Sequence, residues 1–177
     1  NSHRSGGGIR FNSTGTLTLS NSDVLSSATR GQLASGGGIF AVGPVVLENG
    51  SRVANNSTGV ETGDLAEAGL RSKGGGIYSV SDVTLRTGSI VEDNRTDGFG
   101  ASGGGIASHG DVTLSGESFV RNNQTQGEFA YGAGIYAGGA FRNPNFNVYT
   151  DPLDQIFTQA TGIVTITDST VSGNETT

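Results

Sequence analysis

The sequence predicts an all-β fold, a single-stranded parallel β-helix of about five coils, from three repeated phrases. A glycine-rich phrase ends in isoleucine five times, and these isoleucines are 30, 38, 29 and 29 residues apart. A phrase like Val-Thr-Leu follows each isoleucine, and an apolar residue with a nearby asparagine comes next in most copies. A period of this size indicates a solenoid built from repeats. The isoleucines are Ile9, Ile39, Ile77, Ile106 and Ile135.

The glycine phrase, as in residues 103–106, predicts a tight turn where successive coils lie on one another. Glycine adopts positive φ easily and leaves no side chain in a stacked turn. Ala133 replaces one glycine in the fifth copy, so the position stays small. A phosphate-binding loop would need a following helix and usually a lysine, and the sequence has neither. We therefore interpret these glycines as structural.

The Val-Thr-Leu phrase predicts a short strand whose first and third residues face the core. Leu85 lies 8 residues after Ile77, and Leu114 lies 8 residues after Ile106. A third apolar position follows 5 to 6 residues after the leucine slot. Its residues are Val24, Val53, Ile90, Phe119 and Val171. The sequence therefore predicts three short strands per coil, stacked about 4.8 Å apart, in one domain of residues 1–177.

Composition supports a solenoid and excludes several classes of site. Hydrophobic residues make up 33% of the 177 residues and 31 residues are glycine, which suits repeats that bury their apolar faces on one another. The absence of cysteine excludes a disulfide framework, a thiolate zinc site and a cysteine nucleophile. His3 and His109 have no partner at metal-ligand spacing, so we interpret both as solvated turn residues and expect no metal and no cofactor.

Charge and hydropathy limit the partners. The net charge is -6, and the 10 Lys and Arg residues are scattered, which argues against nucleic acid. No apolar run approaches the ~18 residues of a membrane span. The first coil begins soon after Asn1, the last stops just after Asn174, and neither end offers a helical cap. Because open strand edges pair readily, we expect self-association through the ends or pairing with adjoining segments of a longer chain.

Two insertions interrupt the period. The first, residues 57–72, is polar and is expected to form a surface loop. The second, residues 137–162, is larger and rich in aromatic residues, and we expect a docking pad or lid for a partner. The alternative is a loop that folds down over the exposed side of its own coil. The candidate partner-binding residues are Phe141, Phe146, Tyr149 and Phe157.

The residue after each isoleucine is expected to face outward. This places Phe40, Tyr78 and Tyr136 in one stripe, interrupted by Arg10 and Ala107. An exposed aromatic stripe can stack on sugar rings or pack against a neighbouring molecule. The alternative is that these residues reflect β-propensity and are covered by a loop.

Asp82 and Asp111 occupy the same slot in adjacent coils, three residues before the leucine. Stacked carboxylates could bind Ca²⁺ or act as a pair in a polysaccharide lyase or hydrolase. We favour ordinary turn aspartates, because no third carboxylate continues the column and no Arg or Lys lies in register as a base. We therefore predict no catalytic residue and no enzyme, with this pair as the alternative.

The asparagines after the third strand have two interpretations. Asn55, Asn122 and Asn174 are expected to stack as an internal hydrogen-bonded ladder. Other asparagines fit the Asn-x-Ser/Thr pattern and are expected to face outward as candidate glycosylation sites. These are Asn56, Asn94 and Asn123.

The glycine phrase together with Phe119-Val120-Arg121-Asn122 resembles the repeats of chlamydial polymorphic membrane proteins. The resemblance spans all five coils but not the large insertion. It implies a right-handed parallel β-helix that is exported and displayed, often as an adhesin or passenger domain. The chain departs from that pattern in lacking cysteine and in carrying Gly-Gly-Gly rather than Gly-Gly-Ala.

These observations predict a non-enzymatic extracellular or cell-surface module with a structural or adhesive role. It would be a segment, or an end-to-end stacking subunit, of a cell-surface filament. The alternative is a carbohydrate-binding or polysaccharide-degrading β-helix that uses the Asp82 and Asp111 pair and the aromatic stripe, with surface glycans as partners.

Overall fold

A computed structural model describes residues 4–31, 33–59, 71–138 and 162–177. Within these ranges the chain winds through five coils of four short strands and contains no helix. Matching strands of successive coils pair in parallel, so four five-stranded sheets run along the rod. The predicted all-β parallel β-helix of about five coils is confirmed.

The strands are numbered in chain order, four to a coil. The first coil contains β1 (Ile9–Phe11), β2 (Leu17–Ser20), β3 (Asp23–Leu25) and β4 (Ala28–Arg30). The second contains β5 (Ile39–Ala41), β6 (Val45–Glu48), β7 (Arg52–Ala54) and β8 (Ser57–Gly59). The third contains β9 (Ile77–Ser79), β10 (Val83–Leu85), β11 (Ile90–Glu92) and β12 (Arg95–Asp97). The fourth contains β13 (Ile106–Ser108), β14 (Val112–Leu114), β15 (Phe119–Arg121) and β16 (Gln124–Gln126). The last contains β17 (Ile135–Ala137), β18 (Val164–Ile166), β19 (Thr170–Ser172) and β20 (Glu175–Thr176).

Each sheet is named here for a residue type that it points inward. The Ile sheet is β1-β5-β9-β13-β17, and the Leu sheet is β2-β6-β10-β14-β18. The Val sheet is β3-β7-β11-β15-β19, and the Thr sheet is β4-β8-β12-β16-β20. The first three sheets enclose one hydrophobic core, in which Ile77, Leu85 and Val91 are fully buried. The period-2 alternation of each strand thus supplies one rung of every column.

The fourth strand of each coil was not predicted, so the prediction of three strands per coil is wrong. Its inward residue is a threonine, which a search for apolar positions misses. Two of these hydroxyls are hydrogen bonded inside, since Thr29 donates to the Gly36 carbonyl at 3.1 Å and Thr96 to the Gly103 carbonyl at 3.2 Å. The buried Thr125 hydroxyl has no such partner among the described residues. The column consists of Thr29, Thr58, Thr96, Thr125 and Thr176.

The inward column of the Val sheet also differs from the prediction in two coils. Ile90 and Phe119 face outward, and Ile90 pairs with Arg52 of the coil before. The residues that follow them, Val91 and Val120, are the buried ones. A β-strand reverses its faces when the register moves by one residue, and both candidates were apolar. The true column is Val24, Val53, Val91, Val120 and Val171.

The glycine phrase forms the corner between the Thr sheet and the next Ile sheet strand. Gly74 has a φ of 61°, in the left-handed region that favours glycine. A Cβ on Gly75 would lie 2.4 Å from the carbonyl oxygens of Gly104 and Arg95, so no side chain fits. The structural interpretation of these glycines is confirmed.

The two predicted insertions lie largely outside the described residues. The first was expected at 57–72, but Ser57–Gly59 is strand β8 and the described part resumes at Arg71. The second was expected at 137–162, and residues 139–161 lie outside the described ranges. The candidate residues in it are therefore not placed: Phe141, Phe146, Tyr149 and Phe157.

Candidate functional site

A buried asparagine ladder runs through the corner between the Val and Thr sheets. The Asn94 side-chain amide donates to Asn123 Oδ1 at 3.0 Å and to the Val53 carbonyl at 3.0 Å. Asn94 Oδ1 in turn accepts from the backbone and side-chain amides of Asn56, both at 3.0 Å. Asn123 continues the pattern to Asn174. Asn56, Asn94 and Asn123 therefore each tie three successive coils together, and Asn174 ties the last two.

The ladder was predicted, but at the wrong residues in two coils. Asn174 belongs to it, whereas Asn55 and Asn122 are exposed and have φ of 56° and 54°. A residue in this left-handed conformation turns the chain and points its own side chain outward, so the next residue points in. Asn55 and Asn122 are thus turn residues, and Asn56 and Asn123 hold the ladder.

The expectation that Asn56, Asn94 and Asn123 face outward is wrong. They are 1%, 0% and 0% exposed, and their side chains are hydrogen bonded inside the rod. The Asn-x-Thr triplet instead reflects the fold, because residues i and i+2 share one face of a strand. Asparagine enters the ladder and threonine enters the Thr sheet column. Buried amides of this kind are poor acceptors for a bulky sugar.

The aromatic stripe exists in register but is not exposed. Phe40 pairs with Tyr78, Tyr78 with Ala107, and Ala107 with Tyr136. The side chains of Phe40 and Tyr78 are only 5% and 1% exposed and form a second hydrophobic cluster outside the main core. Tyr136 is half-buried. The prediction that Phe40 and Tyr78 form an exposed stripe for stacking on sugar rings is therefore wrong.

His109 is buried beside this cluster, where the sequence interpretation expected a solvated turn. Its Nε2 lies 3.0 Å from the Tyr78 hydroxyl, and the two rings pack edge to face with centroids 5.5 Å apart. Lys73 Nζ lies 5.5 Å from the centre of the Tyr78 ring. The sequence signal for this contact is the spacing. His109 follows Tyr78 by 31 residues, two more than one coil, which places the two residues in adjacent coils.

Asp82 and Asp111 do stack in adjacent coils, as their spacing predicted. Each carboxylate accepts a hydrogen bond from a backbone amide of the next coil. Asp82 Oδ1 accepts from the Asp111 amide at 2.9 Å, and Asp111 Oδ1 accepts from the Ile163 amide at 2.9 Å. This is the bonding pattern of turn aspartates, which favours the structural interpretation. The carboxylates bind the corner between the Ile and Leu sheets to the next coil.

Glu92 forms the most buried ion-pair cluster among the described residues. Its carboxylate contacts Arg52 of the second coil at 2.5 Å and Arg121 of the fourth at 2.7 Å. Burial alone would raise the pKa of the Glu92 carboxyl, but the hydrogen bonds and charges of Arg121 and Arg52 outweigh it and hold the pKa below its ordinary 4.5. The cluster ties three coils on the outer face of the Val sheet.

The last coil presents core-type residues to solvent. Ile166 is 47% exposed and Val171 is 39% exposed, whereas Leu114 and Val120, the matching residues one coil earlier, are fully buried. The outer edges of the last-coil strands have no further strand paired with them among the described residues. Such an edge is a template for another strand.

The described ranges contain neither a cluster of potential metal ligands nor a membrane-spanning helix. No group of three or more His, Cys, Asp or Glu side chains there is placed to hold a metal ion. No helix long and apolar enough to cross a membrane occurs in the same ranges.

Comparisons of the chain with protein-family models, with curated proteins and with solved structures gave no match. The likeness of the glycine and Phe-x-x-Asn phrases to chlamydial surface-protein repeats therefore stays a prediction.

Proposed function

We propose that the chain is a non-enzymatic structural or adhesive module outside the cell, a β-helical rod that lengthens when another coil pairs with its last coil. The added coil comes from a second copy or from an adjoining segment of a longer chain. The observation that carries this proposal is the exposure of Ile166 and Val171 in slots that are fully buried one coil earlier. Covering them is favourable, at about 25 cal/mol for each Å² of apolar surface removed from water.

The apolar columns of the two ends support stacking in register. The first coil presents Leu17 and Leu19 at the slots where the last coil presents Val164 and Ile166. A first coil placed under a last coil would thus continue the Leu sheet with inward-facing apolar residues. The other three sheets would continue in the same way, because both coils contain the same four strands.

Opposite charge at the two ends also supports pairing between copies. Residues 4–31 carry Arg4, Arg10 and Arg30 against Asp23, a net side-chain charge of +2. Residues 162–177 carry Asp168 and Glu175 and no basic residue, a net side-chain charge of -2. Charge complementarity of this kind steers association and selects orientation. It favours last coil onto first coil over either end onto its own kind.

The extracellular and adhesive parts of the proposal are supported by a different observation. The glycine phrase and Phe119-Val120-Arg121-Asn122 resemble repeats of displayed bacterial surface proteins. An elongated rod suits display, because a long array of coils holds a terminal site away from its anchor. Each added coil lengthens the rod by about 4.8 Å.

Electron microscopy and sedimentation velocity of the 177-residue chain test the proposal. We expect rods longer than the ~24 Å that five coils span. Ile166→Lys places a charge in the exposed end column and should reduce the rods to single particles. Thr165→Lys on the same strand points to the outer face and should leave them intact. Single particles at every concentration, or equal effects of the two variants, would contradict stacking between copies.

A further inference from the structure

Away from the first and last coils, the exposed large hydrophobic side chains among the described residues lie in one loop. Phe129 is 62% exposed and Tyr131 is 39% exposed. Phe99, in the matching loop one coil earlier, packs its ring edge-on against that of Phe129 with centroids 5.1 Å apart. We call Phe99, Phe129 and Tyr131 the aromatic patch. It lies at the corner that leads from the Thr sheet to the glycine phrase, apart from the buried Phe40 and Tyr78 cluster.

The backbone holds the two loops of the patch in parallel. The Gly100 amide donates to the Glu128 carbonyl at 2.8 Å, and the Gly98 amide donates to the Gln126 carbonyl at 2.9 Å. The strands before these loops, β12 and β16, are paired in register. The rings of Phe99 and Phe129 therefore stand on a repeated scaffold rather than on an isolated loop, which suits a preformed binding surface.

Phe129 occupies a slot that imposes a left-handed backbone. Its φ is 57°, and Leu33, Arg71 and Gly100 fill the same slot in the other loops with φ of 55°, 58° and 69°. A bulky residue there costs about 1 kcal/mol relative to glycine. Because most of the ring is in water, burial does not offset that cost. The third coil uses glycine at the same slot, so the fold itself does not require a phenylalanine.

We infer that the aromatic patch binds a sugar ring of a glycan, with the flat C–H face of a β-linked glucose-type residue stacked on Phe129. A strained and exposed aromatic side chain is expected at a binding site rather than in a scaffold. Glu128, exposed and adjacent in the chain, offers a carboxylate that can accept hydrogen bonds from sugar hydroxyls.

The size of the patch favours a sugar over a protein partner. A stable protein interface covers roughly 800 Å² on each side. The patch has three rings, one of them mostly exposed, and the residues next to them in the chain are glycine, Glu128 and Ala130. A single sugar ring is matched by one or two aromatic rings. The inference goes beyond the proposed rod extension and does not depend on it, since the patch lies on the side of the third and fourth coils.

Nuclear magnetic resonance titration of the full chain with a soluble β-1,4-linked glucose oligosaccharide tests the inference. We expect saturable shifts at the Phe129 and Tyr131 amides. Phe129→Gly installs the residue that the third coil has in this slot and should weaken binding roughly tenfold. Phe129→Leu installs the residue of the first coil and keeps an apolar side chain without a flat ring. Its affinity for the oligosaccharide should lie between those of the parent and of Phe129→Gly. Thermal unfolding of each variant should match or exceed that of the parent.

Phe119→Thr is the matched control. Phe119 is another outward aromatic residue, and Thr170 occupies its register position in the last coil. This variant should bind the oligosaccharide as the parent does. Absence of saturable binding by the parent, or equal binding by Phe129→Gly, would overturn the inference. Self-association that Phe129→Gly abolishes, without sugar binding, would assign the patch to a second copy and would overturn it as well.

Discussion

The third and last coils are built from the same repeat, but the same slots behave differently in them. Leu85 and Val91 of the third coil are fully buried, whereas Ile166 and Val171 of the last coil are 47% and 39% exposed. The difference does not come from the side chains, which are alike. It comes from the number of neighbouring coils, which among the described residues is two for the third coil and one for the last. The stability of a repeat in such a rod is therefore set mainly by its neighbours.

Among the described residues the first coil also has one neighbouring coil, yet it is less open than the last coil. Leu19 and Val24 are 5% and 8% exposed. Phe11 packs against the core there, in a column that holds Ala41 and Ser79 in the next two coils. A larger side chain at the end rung can cover a core that a small one leaves open. The two ends of the rod are thus chemically distinct.

Shortening the side chain in the leucine slot should give the largest difference in stability loss between the third and last coils. Leu85→Ala removes a fully buried side chain and should cost about 3 kcal/mol of unfolding free energy. Ile166→Ala removes a half-exposed one and should cost less than about 1 kcal/mol. Chemical denaturation of the two variants measures both values. Equal losses would mean that neighbours do not set the stability of a coil.

The asparagine ladder allows the same comparison for a polar group. Asn94→Ala would leave the buried Asn56 amide and Val53 carbonyl without their partners. This should lower the free energy of unfolding by about 2 kcal/mol. Asn174 is half-buried in the last coil, where water can replace the partners that Asn174→Ala removes, so this variant should cost about 1 kcal/mol. Hydrogen exchange at the Asn56 amide should quicken in the first variant only. Unchanged protection there would show that the ladder does not hold the coils together.

Removing the Phe11 ring should make the first coil behave like the last. Phe11→Ser installs the residue that the third coil has in this column and should cost about 1 kcal/mol. Amide exchange at Leu19 and Val24 should rise toward the rates at Ile166 and Val171. Thr18→Ser on the outer face of β2 serves as the control and should change neither. A first coil that stays protected without the ring would refute its covering role.

The Glu92 cluster should give the smallest effect, visible as a dependence on pH. Its folded pKa lies below the unfolded value near 4.5, so its contribution is complete above that value and is lost as pH falls through the folded pKa. Glu92→Gln should flatten this part of the stability curve. At neutral pH the variant should lose less than about 1 kcal/mol, since Arg52 and Arg121 are 36% and 40% exposed.

Denaturation of the parent and of Glu92→Gln between pH 3 and pH 7 measures this dependence. Glu48→Gln is the control, because Glu48 pairs with the exposed Arg86. A parent whose stability does not fall below pH 4.5, or a Glu92→Gln variant with an unchanged curve, would contradict the role of the cluster.

Much of the fold could be predicted, because a repeat shows each structural position several times. Isoleucine fills the slot of Ile77 in all five coils, and leucine or isoleucine fills the slot of Leu85, so their inward direction is supported five times over. The direction of the candidate site residues was not supported by repetition in this way. At Asn55 and Asn56 the sequence offers two equivalent residues, and only the left-handed conformation of Asn55 decides which one points inward.

Outward residues were predicted least well, for a related reason. Tyr78 does lie on the outer face of the Ile sheet, as alternation requires, and yet it is 1% exposed. Alternation states which face a side chain occupies and says nothing of what covers that face. Phe129 shows the opposite case, since a loop phenylalanine without a repeat partner gave no reason to expect an exposed ring.

The sequence by itself determined the number of coils, the inward isoleucine and leucine columns and the glycine corner. These depend on period and alternation, which are properties of the chain read locally. Only the tertiary structure decided that a threonine column forms a fourth sheet, that Asn56, Asn94 and Asn123 lie inside, and that Phe40 and Tyr78 are covered. The buried asparagines are stabilised inside because partners from adjacent coils, 29 or 38 residues away, satisfy their amides.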